Sequence, residues 1–107
     1  MTATTTMTPG TTTKKLTSQE VTAAIQNLQS WVLGSQNSIE REFVFKTFPE
    51  AFSFMTRVAF EAESMNHHPD WFNSYNRVKI ALSTHDAGGI TEKDIALARK
   101  IDGINWT

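Results

Sequence analysis

Residues 47–69 read TFPEAFSFMTRVAFEAESMNHHP, and this stretch sets the architecture. Phe48, Ala51, Phe52, Met55, Val58, Ala59, Ala62 and Met65 recur at steps of three and four, the spacing that lines one face of an α-helix. Thr47 followed three residues on by Glu50 is the pattern of a capping box, and Pro49 is tolerated in the first helical turn. Pro69 cannot continue a helix and biases His68 away from helical geometry, so this central helix is predicted to stop near Asn66. Phe54 and Phe60 fall off the stripe, and a second covered face is expected for them.

Working outward, Leu16-Thr17-Ser18-Gln19-Glu20-Val21 is a helix start, with Thr17 as cap, Glu20 completing a box and Leu16 stapling to Val21. Val21, Ala24, Ile25 and Leu28 continue its apolar stripe, which predicts a helix ending near Ser30. Trp31-Val32-Leu33 reads as a short strand and Gly34-Ser35-Gln36-Asn37 as a turn. Ile39, Arg41, Phe43 and Phe45 then alternate with Glu40, Glu42, Val44 and Lys46, a half-buried strand in which Arg41 is the odd member of the buried set.

Beyond the central helix, strands are predicted at Asp70–Asn73 and Arg77–Thr84, joined by a turn at Ser74-Tyr75-Asn76. Gly88-Gly89 marks another turn. Ile90-Thr91-Glu92-Lys93-Asp94-Ile95 then repeats the first helix's start signal, with Asp94 in the place of Glu20 and Ile95, Ala98, Ile101 and Ile104 as the buried side. The order α-ββ-α-ββ-α predicts a two-layer α+β fold, a four-stranded antiparallel sheet with helices on one face. The open sheet face and edges invite self-association.

A chain of 107 residues fits one domain. Met1–Lys15 is mostly Thr and reads as a disordered arm, leaving residues 16–107 as the domain. The arm has neither the basic-then-apolar order of a secretory signal nor the Arg of a transit peptide. The absence of cysteine excludes disulfides and thiolate metal sites, and makes a reducing compartment the default. Ten basic against eleven acidic residues argue against a broad nucleic-acid footprint. No apolar run approaches the roughly 20 residues that span a bilayer. The expectation is a soluble protein that binds neither nucleic acid directly nor membrane.

All three histidines fall just after regular elements: His67 and His68 after the central helix, His85 after the fourth strand. Imidazole exchanges protons near neutrality, so this grouping suggests a site for proton transfer. One histidine capping a helix C-terminus is the plainer alternative. A metal centre is the other rival, but adjacent His67 and His68 tend to point apart, and the chain has neither an HExxH pattern nor cysteine.

Glu63-Ser64-Met65-Asn66-His67-His68-Pro69-Asp70-Trp71, then Leu82-Ser83-Thr84-His85-Asp86, then Gly89-Ile90-Thr91-Glu92-Lys93-Asp94 resemble the signature of the pterin-4a-carbinolamine dehydratases. The similarity extends over most of Leu16–Ile101 and includes Phe54-Met55-Thr56-Arg57-Val58-Ala59. The resemblance implies loss of water from 4a-hydroxytetrahydropterin to give quinonoid dihydropterin, which recycles the cofactor of aromatic amino-acid hydroxylases. It implies no cofactor and no metal. By the same resemblance His67 and His85 are the acid/base pair and His68 binds and orients substrate. Glu63, Asn66, Pro69, Trp71, Ser83, Thr84, Asp86 and Asp94 match positions around the pterin. Each has a plainer role open to it: Glu63 as a solvated helix residue, Trp71 as a core or wall residue, Asp94 as a cap that also supports a histidine. Asn66 stands where some animal members carry Asp. The family further implies a homodimer or homotetramer in the cytoplasm, with the nucleus as a second compartment. Some members resemble dimerisation cofactors of a homeodomain transcription factor, so an interaction module is the alternative function, and a pterin-binding protein without turnover is a third.

Overall fold

Among the described residues three helices and four strands follow one another as the sequence predicts: α1 (Ser18–Ile25), β1 (Val32–Leu33), β2 (Ile39–Val44), α2 (Phe48–Met65), β3 (Asp70–Ser74), β4 (Arg77–Leu82) and α3 (Glu92–Asp102), with a 3-10 turn at His85–Ala87. The computed structural model describes residues 14–35 and 37–104. The arm read at Met1–Lys15 therefore lies outside the described residues except for Lys14 and Lys15, as does Gln36 of the first turn.

The sheet order is β1-β2-β4-β3, antiparallel throughout. Helix α2 carries the chain past the sheet so that β3 forms an edge, and the β3–β4 hairpin brings β4 in beside β2. Side chains alternate across a strand, so Ile39 and Phe43 of β2 and Val78, Ile80 and Leu82 of β4 share one buried face. Val21, Phe54, Val58, Ala62, Ile95, Leu97, Ala98 and Ile101 from the three helices complete that core. The outward face is charged, with Glu42–Arg77 and Glu40–Lys79 paired across β2 and β4.

Helix α2 corrects one expectation. Its buried residues are Ala51, Phe54, Val58 and Ala62, while Phe48, Phe52 and Phe60 are exposed. Phe54 is at the centre of the core, with its ring 4.6 Å from that of Phe43 and 5.0 Å from that of Phe45. Apolar residues occupy so much of the circumference of α2 that spacing alone leaves its rotation undetermined. The aromatic floor of β2 selects Phe54. Phe60, expected under a second covered face, is 72% exposed.

Helix α1 ends five residues earlier than expected. Asn27 N–H donates to Ala24 O and Leu28 N–H to Ile25 O, tightening the chain into turns, and Ser30 takes a positive φ of 63°. Gln29 N–H is then captured by Asp102 Oδ2 at 3.1 Å. Asp102 Oδ1 also accepts from Trp31 Nε1 at 2.8 Å and Arg41 Nη1 at 2.7 Å. This carboxylate, with the Phe43 ring 4.3 Å beneath the guanidinium, explains Arg41 on the buried side of β2.

The capping boxes of α1 and α3 form in full, and the Thr17 N–H holds the Glu20 carboxyl below the usual carboxylate range. At α2 only half the box forms: Thr47 Oγ1 accepts from Glu50 N–H, but Glu50 Oε1 takes the N–H of Lys46 rather than that of Thr47.

Phe54→Ala should cost about 3–5 kcal/mol of stability, read as a fall in urea midpoint at constant slope. Phe60→Ala should cost much less, because its ring leaves no comparable void.

Candidate active site

The C-terminus of α2 aims the histidine pair. Asn66 takes a left-handed conformation (φ 51°, ψ 44°), a region Asn tolerates better than most residues. The N–H groups of Asn66 and His67 donate back to Glu63 O and Ala62 O, closing the helix as a Schellman motif. The chain reverses there, and the two rings part. His67 turns inward and is buried. His68 turns outward, and its Nε2 lies 2.9 Å from Glu63 Oε1. With side chains 59% and 79% exposed, the His68–Glu63 pair contributes at most about 1 kcal/mol of stability. Its value is in where it holds the ring.

His67 Nε2 is 2.6 Å from Oδ1 of Asp94, a carboxylate with no exposed surface. Asp94 comes from the first turn of α3, where its Oδ2 closes the capping box by accepting the Thr91 N–H at 2.8 Å. The same oxygen accepts from the Thr84 hydroxyl at 2.9 Å, and Thr84 Oγ1 in turn lies 2.7 Å from Thr91 Oγ1. Each hydroxyl has one proton. Thr84 spends its proton on Asp94, so Thr91 must donate to Thr84. A buried carboxylate with this many donors leaves no polar group in the cluster without a partner, as burial demands.

Thr84 is also the hinge to the third histidine. It pairs with Gly89 as an isolated bridge and starts the 3-10 turn that begins at His85, closed by Gly88 at φ 77°. His85 and Asp86 are exposed on that turn. Beside it lies a cavity of about 410 Å³, lined by His85, Thr84, Ser83, Asp70 and Glu40 among others. Its volume falls within the range of small-molecule sites.

The predicted site residues thus divide. His67, Thr84 and Asp94 are in one hydrogen-bonded cluster. Ser83, Thr84 and His85 line the cavity, whose lining includes neither His67 nor His68. Trp71 packs against the core. Asn66 acts through its backbone, and Pro69, half-buried, follows the histidine pair into β3. Asp94, fully buried, acts through His67 and Thr84 rather than facing the cavity. Among the described residues no three His, Cys, Asp or Glu side chains are grouped to hold a metal ion, and no helix is long and apolar enough to cross a membrane. Ser38, Glu40 and Ala81 also line the cavity, and the sequence does not single them out. For Glu40 and Ala81 the alternation signals only an outward strand face, and the β2–β4 register is what sets them side by side, with Ser38 just ahead of β2.

Fold and site define a small two-layer α+β protein with a polar, histidine-bearing cavity at one end of its sheet. The chain belongs to the pterin 4 alpha carbinolamine dehydratase family, whose sequence model matches residues 14–104. A protein of Burkholderia orbicola (strain MC0-3) named for that dehydratase is 57% identical over 90 residues, covering 83% of this chain and 88% of its own length. One from Mesorhizobium japonicum, also so named, is 54% identical over 90 residues, 83% of this chain and 92% of the relative. The solved structure of a transcriptional coactivator/pterin dehydratase from Brucella melitensis matches with a TM-score of 0.80 at 45% identity, covering 82% of this chain and 95% of that one.

Asp94→Ala removes the partner of His67, the Thr84 acceptor and half of a capping box together. It should destabilise the protein by about 3 kcal/mol or more, measured by urea unfolding.

Proposed function

We propose that this protein is a dehydratase that removes water from 4a-hydroxytetrahydropterin, with His67 and His85 as its acid/base pair and 4a-hydroxytetrahydrobiopterin as the substrate of the family's reaction. In that step the C4a–O bond breaks, N5 gives up its proton, and a C4a=N5 double bond forms in the quinonoid dihydropterin. One group must protonate the departing hydroxide while another accepts the N5 proton. The observation that carries this reading is the His67–Asp94–Thr84 chain, which ties the histidine after α2 to the segment bearing His85 at the cavity.

Asp94 takes part as an orienting group. Its carboxylate accepts from Nε2–H of His67, which fixes the tautomer and leaves Nδ1 as the nitrogen that exchanges a proton. His85, exposed at the cavity wall, is placed to serve the other proton. His68, held outward by Glu63, is the residue this reading assigns to orienting substrate. The acid and base roles exchange between the two C4a epimers. This chemistry asks for no cofactor, and the substrate is the only small-molecule partner it requires.

Self-association completes the reading. Among the described residues strands β1 and β3 are open edges, and Phe52 and Phe60 lie exposed on α2, surface that a homodimer or homotetramer would cover. The name of the Brucella melitensis protein supports a second reading, a coactivator-type interaction module. A folded His85→Ala variant that loses turnover but keeps the protein's cellular effect would favour it.

His67→Ala and His85→Ala should each lower turnover by about 10²–10⁴-fold, followed as quinonoid dihydropterin formed from enzymatically generated carbinolamine. Wild-type rates in both variants would reject the assignment. Sedimentation velocity should give a mass at least twice the 12.0 kDa of one chain, and a monomer at micromolar concentration would remove the oligomer from the reading.

A further inference from the structure

Three residues at one level of the sheet face outward into the cavity. Glu40 on β2 pairs with Ala81 on β4, and Ala81 pairs with Asp70 on β3. Small Ala81 leaves a trough between two carboxylates on strands two apart, roughly 10 Å across. From Ala81 the trough continues past the end of β4 to Ser83, roughly 7 Å further, and then to His85. That is a slot for a flat two-ring heterocycle with His85 at one end and a carboxylate at the other.

Glu40 differs from its strand neighbour Glu42. Glu42 is an exposed residue locked in a two-point pair with Arg77 at 2.8 and 3.1 Å. The Glu40 side chain is only 17% exposed, and its carboxyl group lies where a side chain on residue 34 would begin, a space left open because residue 34 is glycine. Among the described residues its donors are few and long. Lys79 Nζ reaches Oε1 at 3.3 Å, and Ser38 Oγ reaches Oε2 at 3.2 Å. The single Ser38 proton also has the Ser35 carbonyl in reach at 2.8 Å, the better distance. A recessed carboxylate with weak donors, facing a cavity, is complementary to a ligand that brings two parallel N–H groups.

We propose that Glu40 is a specificity-determining residue that binds the amino-pyrimidinone edge of the pterin, accepting from N3–H and the 2-amino group. This rests on the dehydratase reading and adds to it the polarity of the bound ring, with the 2-amino edge at Glu40 and the N5–C4a edge toward His85. Gly34 is part of the device, because it lets the carboxyl group reach its place.

The test is equilibrium binding to the full chain of two probes, 7,8-dihydropterin and its 2-oxo counterpart 7,8-dihydrolumazine, which keeps N3–H but replaces the adjacent 2-amino donor with a carbonyl acceptor. Wild type should prefer the 2-amino probe. Glu40→Gln should reduce that preference by about 10- to 100-fold, chiefly by weakening dihydropterin. Gly34→Ala, which displaces the same carboxyl group, should reduce it in the same direction and carries the test if Glu40→Gln fails to fold. Lys79→Met should keep the preference. Retention of the wild-type preference in a folded Glu40→Gln, or its equal loss in Lys79→Met, overturns the role given to Glu40 while leaving the dehydratase reading intact. A wild-type protein that binds neither probe overturns both.

Discussion

Asp94 is the point on which fold and site both depend. Its carboxylate has no exposed surface, so every lone pair it presents must be met inside the protein. The donors that meet them come from three segments: Thr91 from its own helix start, Thr84 from the end of β4, and His67 from the end of α2. A capping interaction that many helices use locally here becomes the joint between distant parts of the chain. The cost of burying the carboxylate is offset only if all three segments arrive together, which couples formation of the sheet's end to placement of the histidine.

A second carboxylate, Asp102, does the same work at the other end of α3. It collects Gln29, Trp31 and Arg41, and so fixes where the chain leaves α1 and enters the sheet. Helix α3 thus joins the domain through two acidic residues as well as through Ile95, Leu97, Ala98 and Ile101 on its buried side. Between these anchors the sheet is held rigidly enough for its outward face to carry a cavity whose walls come from three strands.

The two faces of the domain divide the labour. The inner face is an apolar core in which Phe43, Phe45 and Phe54 meet ring to ring. The outer face is a lattice of paired charges that loosens toward the cavity, where Ala81 and Ser83 replace larger residues. The chain belongs to the pterin 4 alpha carbinolamine dehydratase family, and its trough is rimmed by carboxylates, hydroxyls and an imidazole.

What was legible in the sequence was what depends on neighbours a few residues apart. Period-two alternation marked β2 and β4, period 3.6 marked α2, and Thr17–Glu20 and Thr91–Asp94 marked helix starts, because strand pleating, helical pitch and capping are local geometry. The signature around His67, His68 and His85 likewise pointed to the family. Tertiary structure alone decided the rest. It rotated α2 to bury Phe54 rather than Phe52, since the sequence offers apolar residues on several sides of the helix and only the aromatic floor of the sheet chooses among them. It stopped α1 at Ile25 because Asp102, more than seventy residues away in sequence from Gln29, supplies the competing acceptor. It set Glu40 beside the cavity through strand register, a relation between segments brought together only by folding.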